Sequence, residues 1–415
     1  MRIVVIGAGI IGVTSAYYLR QHGFEVDVVE RRGDVALETS YGNAGIIAPG
    51  YVTPWAAPGM PGKVLSYLFK SEAPVLFRPN LDPALWRWLA RWLRECNLAR
   101  YRVNKERMQR VAVYSRHCLH QLREQHAIDY QQMQGYLQLF RSQSDLDMSL
   151  PARTMLKEQG VPFELLDSAG VYAYEPDLSQ QTALTGGLLL PGDESGNCPL
   201  FAKRLRVICE QQGVRFHFNE TLEAIRTSAK QVNGIKTATR TLDCDAVVVA
   251  AGPQSAALMR PLRVRLPIYP VKGYSVTVQL KPDAFGPRRA LMDEAYKTAI
   301  TPLGHSMRIA GTAEIGSAEL VLRDAALATL RKVAGDWFPG AGNFNGARYW
   351  VGARPMVPDG PPLLGTTPIK GLYLNCGHGS TGWAMSCGSS KIVADLIAGR
   401  EPEINLDGLS LQRYR

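Results

Sequence analysis

The sequence predicts an α/β protein. A nucleotide-type domain is assembled from three separated segments, and a strand-rich α+β domain is interleaved with it. Three observations carry this reading. The first thirty residues run strand, glycine-rich turn, helix, strand. Similar β/α elements recur in mid-chain ("DAVVVAAG", 245–252) and near the C-terminus ("LYLNCGHGSTGW", 372–383). Strand-like blocks lie between them, most clearly over 266–311. Alternating β/α units favour a parallel sheet, and an intervening strand-rich block favours an inserted second unit. The expected division gives 1–50, 196–265 and 351–415 to the nucleotide domain. It gives 51–195 and 266–350 to the second domain, with a basic helical insertion at about 61–125.

The elements follow in chain order. "RIVVIG" is a short apolar strand, "VTSAYYLRQHG" has helical spacing and stops at Gly23, and "EVDVVE" alternates as a strand. Pro and Gly crowd 49–62, which argues for irregular backbone. "DPALWRWLARWLRECN" (82–97) predicts a helix capped by Asp82 with Pro83 in its first turn, and a long helical pattern runs on to about Gln125. "GYLQLF" (135–140) alternates as a strand, 198–213 and 325–340 read as helices, and 389–399 reads as the last helix.

Composition narrows the class. The chain has 415 residues, 46% apolar and 20% charged, enough for a sizeable core and unlike a disordered or collagen-like chain. Its longest apolar runs fall short of a membrane span, and Met1 leads into "RIVVIGAGIIG" without a signal pattern. Seven scattered cysteines with no CxxC pair suggest reduced thiols in a cytoplasmic setting, and no metal site is expected. The net charge is +10, and Pro61–Arg110 alone holds eleven Lys/Arg against four acids. Such a local excess suggests an anionic surface as partner.

Gly7-Ala8-Gly9-Ile10-Ile11-Gly12 forms a GxGxxG directly after a strand and before a helix. The first glycine permits the tight turn, the second lets backbone approach a pyrophosphate, and the third lets helix pack on strand. Glu30 ends the second strand, 18 residues past Gly12, where a carboxylate can accept both ribose hydroxyls. The motif does not choose between NAD and FAD. "GHGSTGW" (377–383) is a second Gly-rich turn ahead of a helix and can aim backbone amides at a flavin ring.

From end to end the chain resembles the small subunit of bacterial FAD-dependent D-amino-acid dehydrogenases, within the D-amino-acid oxidase/glycine oxidase superfamily. The resemblance rests on "YGNAGIIAPGYVTPWAAPG" (41–59), "RYRVNKERM" (100–108), "LTGGLLLPGDESGNC" (184–198), "YPVKGYSVTV" (269–278), "DEAYKTAIT" (293–301), "GARPMVPDG" (352–360) and "GHGSTGWAMSCGS" (377–389). It implies a Rossmann-like FAD-binding domain and noncovalent FAD. The implied cofactor contacts are Gly7, Gly9, Ile10, Ile11, Gly12, Glu30 and Arg31 in the first unit. Ser40, Gly42, Asn43, Ala44, Gly45 and Ile46 follow along the flavin, with Leu222 at the adenine and Ala250, Ala251 and Gly252 at the pyrophosphate. Gly379, Ser380, Thr381, Gly382 and Trp383 lie against the ring system.

The resemblance also implies hydride transfer from the substrate Cα to flavin N5, with no catalytic side chain, followed by imine hydrolysis to a 2-oxo acid and ammonia. Arg354 is the implied carboxylate clamp, which suits a bidentate guanidinium. The alternative is a structural arginine paired with Asp359. Tyr274 and Tyr296 are expected in the substrate pocket, with buried core tyrosines as the alternative. Tyr51 and Trp55 are expected near the flavin mouth. His378 is a weak candidate for a base. Where relatives more often carry Phe-Ala, Leu and Thr-Leu-Gly, this chain has Tyr41-Gly42, Ala353 and Ser380-Thr381-Gly382. The implied partners are a D-amino acid and a quinone-type membrane acceptor. A D-proline or D-hydroxyproline dehydrogenase, an oxygen-using oxidase and a flavin-bearing electron relay are the other readings. Trp86, Trp88 and Trp92 among Arg87, Arg91 and Arg94 suit a peripheral site on the inner membrane face, and a core-packed helix is the alternative.

Overall fold

The computed structural model describes residues 1–67, 73–282, 285–317 and 319–414. Lys70 and Glu72 of the basic stretch lie outside them.

Two large sheets organise the chain. The first has six strands in the order Leu363–Thr366, Leu372–Cys376, Ala246–Val249, Arg2–Ile6, Glu25–Val29 and Arg215–His217. All its pairings are parallel except that of the edge strand Leu363–Thr366. Its central strands are apolar on both faces because both faces are covered. On one side pack the helices Ile10–Gln21, Cys198–Gln211 and Gly382–Ile397, with the long helix Leu98–His126 beyond. On the other lies a three-stranded antiparallel sheet, Leu222–Ser228, Gln231–Thr237 and Thr241–Asp243.

The second sheet runs Arg348–Met356, Tyr269–Gln279, Ser306–Ile315, Thr298–Leu303, Ala290–Asp293, Met133–Phe140, Gly186–Ser195 and Ile46–Ile47. Helix Asp324–Trp337 closes its outer face around the buried Trp337. Ile46–Ile47, within the segment 1–50, pairs in the second sheet, and the strand Arg348–Met356 crosses the expected junction at 351. They carry chain from one unit into the other, and the functional residues cluster along them.

The helix Pro83–Glu95 starts as its sequence suggests: Asp82 accepts from the Ala84 N–H at 2.8 Å, and proline occupies the first turn. The last helix begins at Gly382, seven residues earlier than its apolar pattern indicates. The short helices Gln143–Met148, Leu150–Glu158 and Ser168–Tyr174 have no counterpart in the sequence reading.

The tryptophans of Pro83–Glu95 divide. Trp88 and Trp92 are buried, stacked with centroids 6.5 Å apart, and packed toward Tyr269 and Met356. The core-packed alternative therefore holds for these two. Trp86 remains half exposed, close to the fully open Leu81 and to Arg87.

Candidate active site

A cavity of about 1180 Å³ runs along the seam between the two sheets. Its size exceeds the roughly 300–1,000 Å³ typical of a small-molecule site, so it can hold a dinucleotide and a small substrate together.

At one end the glycine-rich turn forms the wall. Gly7 has φ +96°, a conformation that disfavours any side chain, and a Cβ there would lie 2.8 Å from the Ala250 carbonyl oxygen. Gly9 caps helix Ile10–Gln21 without a side chain, and the Ile10 N–H donates to Ser40 Oγ at 3.0 Å. Gly12 does not line the cavity. It packs the helix on the turn so tightly that a Cβ would meet the Gly7 carbonyl oxygen at 1.8 Å. Glu30 is fixed at the end of the second strand, its carboxylate accepting from the Ala8 and Arg32 N–H groups at 2.8 Å each. Arg31, Leu222, Ala250, Ala251 and Gly252 border the same end.

The 39–46 segment lines the middle and is tied to the second sheet by side chains that no motif announces. Arg308 donates to the Tyr41 and Asn43 carbonyls at 2.9 and 3.2 Å, and Thr301 donates to the Ala44 carbonyl at 2.7 Å. Asn43 braces the turn internally, giving a hydrogen bond to the Ser40 carbonyl and taking one from the Gly45 N–H. The Trp350 ring lies across Gly42 and Gly352, and a Cβ on either would fall within 2.2 Å of it. Neither Arg308 nor Trp350 has a local signal in the sequence. Their roles depend on strand pairing hundreds of residues from the loop they hold.

At the far end stands Arg354. A Cβ on Gly273 would lie 2.3 Å from its guanidinium carbon, so the side chain lies directly on glycine backbone. It donates to the Lys272 carbonyl at 2.8 Å and the Gly311 carbonyl at 3.4 Å. It has no carboxylate partner among the described residues. Asp359 pairs instead with Arg413, at 2.7 Å. Burial alone pushes the Arg354 guanidinium down to about 10. A cation buried without a counter-ion is costly, and a ligand carboxylate removes that cost. Trp55 covers the approach, its ring centroid 5.9 Å from the Arg354 guanidinium carbon and its indole N–H on Ser380 Oγ at 3.2 Å. Tyr51 lines the same region.

The two tyrosines of the strand-rich block are placed differently from each other. Tyr274 borders the cavity, but its hydroxyl is spent on the buried Glu314, which Lys272 also grips at 2.7 Å. Tyr296 is not on the cavity wall. The turn after Ala290–Asp293 takes Lys297 through φ +48° and turns Tyr296 outward, with its ring 4.8 Å from the Arg141 guanidinium. That turn presents Glu294 and Lys297 to the cavity in its place.

His378 is buried, with Nε2 on Ser389 Oγ at 3.0 Å. Burial pushes it down to about 3, so it is neutral at physiological pH. Gly379 to Trp383 lead into helix Gly382–Ile397, whose N-terminus faces the cavity without a side-chain cap. That end offers amide donors and the positive pole of a sixteen-residue helix. Among the described residues the Trp383 indole N–H is buried with no partner. An uncapped helix N-terminus on this wall suits an acceptor-rich ring.

The sequence matches the family model of FAD dependent oxidoreductases over residues 2–396. The chain belongs to this family. Its similarity to curated D-amino acid dehydrogenases is full-length: 47% identity with that of Bradyrhizobium diazoefficiens, covering 100% of this chain and 99% of the relative. With that of Azorhizobium caulinodans it shares 48% identity, covering 100% of both. The fold is similar to glycine oxidase from Geobacillus kaustophilus, with TM-score 0.76, 23% identity and 99% of each chain covered. It is also similar to L-proline dehydrogenase from P. horikoshii, with TM-score 0.73, 18% identity, and 100% and 97% covered.

FAD is the cofactor of this FAD dependent oxidoreductase. The cavity fits it in kind. The Glu30 carboxylate would meet a ribose, glycine backbone lies open for a pyrophosphate, and the uncapped N-terminus of helix Gly382–Ile397 would face the ring. Among the described residues no group of three or more His, Cys, Asp or Glu is placed to hold a metal ion.

Proposed function

We propose that this enzyme oxidises D-amino acids to 2-oxo acids and ammonia and passes the electrons to a quinone-type acceptor. The observation that carries the reading is Arg354: a guanidinium facing the cavity, held by two carbonyls and without a carboxylate partner among the described residues. The full-length likeness to curated D-amino acid dehydrogenases supports the D configuration. When bound, FAD supplies the acceptor for the hydride that leaves the substrate Cα. The protein's part is placement. Arg354 fixes the carboxylate, Trp55 and Tyr51 close over it, and the 39–46 segment holds the opposite wall, so that the reacting atoms approach to about 3 Å. His378, neutral and engaged with Ser389, is not assigned a proton-transfer role. The imine released after oxidation takes up water and yields the 2-oxo acid and ammonia.

Turnover with a D-amino acid and a soluble quinone analogue under nitrogen tests the acceptor. One 2-oxo acid and one ammonia are expected per quinone reduced, with little peroxide formed in air. Peroxide in step with 2-oxo acid in air, and no quinone reduction, would make the enzyme an oxidase.

The basic stretch fits a peripheral site at the membrane where such an acceptor resides. No described helix is long and apolar enough to cross a membrane. Leu81, Trp86 and Leu93 are exposed beside Arg87, Arg91 and Arg94, an apolar and basic mixture suited to an anionic interface. Co-sedimentation with anionic phospholipid vesicles is expected at low salt, weakening as salt rises and weakening further in Trp86→Ser. No binding at low salt would remove this part of the reading.

A further inference from the structure

The turn that carries Tyr296 outward leaves a second charged group in the cavity. Glu294 and Lys297 both line it, and the Glu294 side chain is only 11% exposed. One carboxylate oxygen, Oε2, faces the Lys297 ammonium. The other, Oε1, is buried and has no hydrogen-bond partner among the described residues. A buried carboxylate oxygen without a donor is costly, and it is an acceptor only.

Three features fix what it can receive. The first is its neighbourhood. Gly311, whose carbonyl takes Arg354 Nη2, packs against this turn, and a Cβ on Gly311 would sit 3.2 Å from the Lys297 carbonyl oxygen. The acceptor and the carboxylate clamp therefore belong to one chamber. The second is polarity. Phe140, Leu188, Met292 and Ala299 near the turn are apolar, and the Tyr51 hydroxyl stands against Glu294 itself, so a ligand donor there finds few competing acceptors. The third is charge. Lys297 balances Glu294, so the pair favours an N–H donor without demanding a cation. An amine must be uncharged for its Cα hydrogen to leave as hydride, and a charge-balanced acceptor suits that form.

We propose that Glu294 is a second recognition point for the substrate, with Oε1 accepting a hydrogen bond from an N–H of the amino acid whose carboxylate Arg354 holds. This rests on the amino-acid reading above. The N–H belongs either to the α-amine or to a nitrogen at the end of a long side chain. The chemistry at Oε1 is the same in both.

The test compares wild-type holoenzyme with Glu294→Ala and Glu294→Met, using D-alanine, D-lysine and propionate. D-Alanine offers an N–H only at the α-amine, D-lysine adds a terminal amine, and propionate keeps the carboxylate with no N–H at all. Anaerobic flavin reduction gives kcat/KM for the amino acids, and the perturbed flavin spectrum gives the Kd of propionate. Loss of a hydrogen bond to a charged group predicts a fall of about 10- to 100-fold in kcat/KM. A fall for both amino acids assigns the α-amine, and a fall for D-lysine alone assigns the side chain. Either supports the proposal provided that propionate affinity stays within about twofold. Unchanged kcat/KM for both, or a parallel loss of propionate binding, overturns it. Failure of the amino-acid reading shows separately, as wild-type flavin that neither amino acid reduces, and it overturns this proposal as well.

Discussion

Arg354→Ala is expected to lower kcat/KM for D-amino acids by roughly 30- to 5,000-fold while the purified protein keeps its FAD. Removing one partner of a buried charge pair costs about 2–5 kcal/mol, and each 1.36 kcal/mol is tenfold in rate. The loss is expected mostly in KM if the clamp acts equally before and during reaction, and in kcat as well if it sets the angle of the Cα hydrogen. Arg354→Lys should recover little, because an ammonium cannot hold two backbone carbonyls and a carboxylate in one plane. Gly273→Ala tests the same geometry from beneath. Its Cβ would lie 2.3 Å from the guanidinium carbon, so the side chain must move although its charge is untouched. A similar loss in that variant, with FAD content unchanged, locates the effect in the position of Arg354. Steady-state and single-turnover kinetics with matched flavin content read both. Near-wild-type kcat/KM in Arg354→Ala would remove the clamp.

The second large effect is at Gly12. Alanine is the smallest possible addition, yet its Cβ would stand 1.8 Å from the Gly7 carbonyl oxygen. Backbone on both sides of the contact must shift, and this is the junction where strand, turn and helix N-terminus meet. Gly12→Ala is therefore expected to purify with under a tenth of the normal flavin and to melt several degrees lower. A flavin-to-protein absorbance ratio and a thermal scan measure both. Gly23→Ala, at the end of the same helix and with no atom within 4 Å of its Cβ, is the control for loss of glycine alone. It carries a strain from φ +81° and no clash, so its flavin content should stay near wild type.

How much of this is written locally in the chain varies by residue. The parallel core was legible because strands such as Ala246–Val249 are covered on both faces and read as continuous apolar runs. Helix Pro83–Glu95 was legible because its Asp cap and first-turn proline are local signals. The start of the last helix was not, since Gly382, Ala384, Ser386, Cys387, Gly388 and Ser389 are small residues that become helical through burial against the rest of the fold. Within the site, Gly7, Gly9 and Glu30 follow from a turn whose geometry needs them. Arg308 and Trp350 do not, because each holds a loop about 270 to 310 residues away in sequence through sheet pairing. Tyr296 shows the limit from the other side. Its segment does reach the cavity, but one left-handed residue, Lys297, decides which side chains face inward, and a lysine carries no signal for that conformation.

The most direct measurement is anaerobic reduction of the bound flavin by single amino acids, followed at the flavin absorbance band. D-Alanine and other D-amino acids are expected to bleach the wild-type enzyme, with their L enantiomers much slower and with Arg354→Ala impaired toward every substrate that carries an α-carboxylate. Flavin that stays oxidised with D- and L-amino acids, D-proline and D-hydroxyproline alike would contradict the account at its centre.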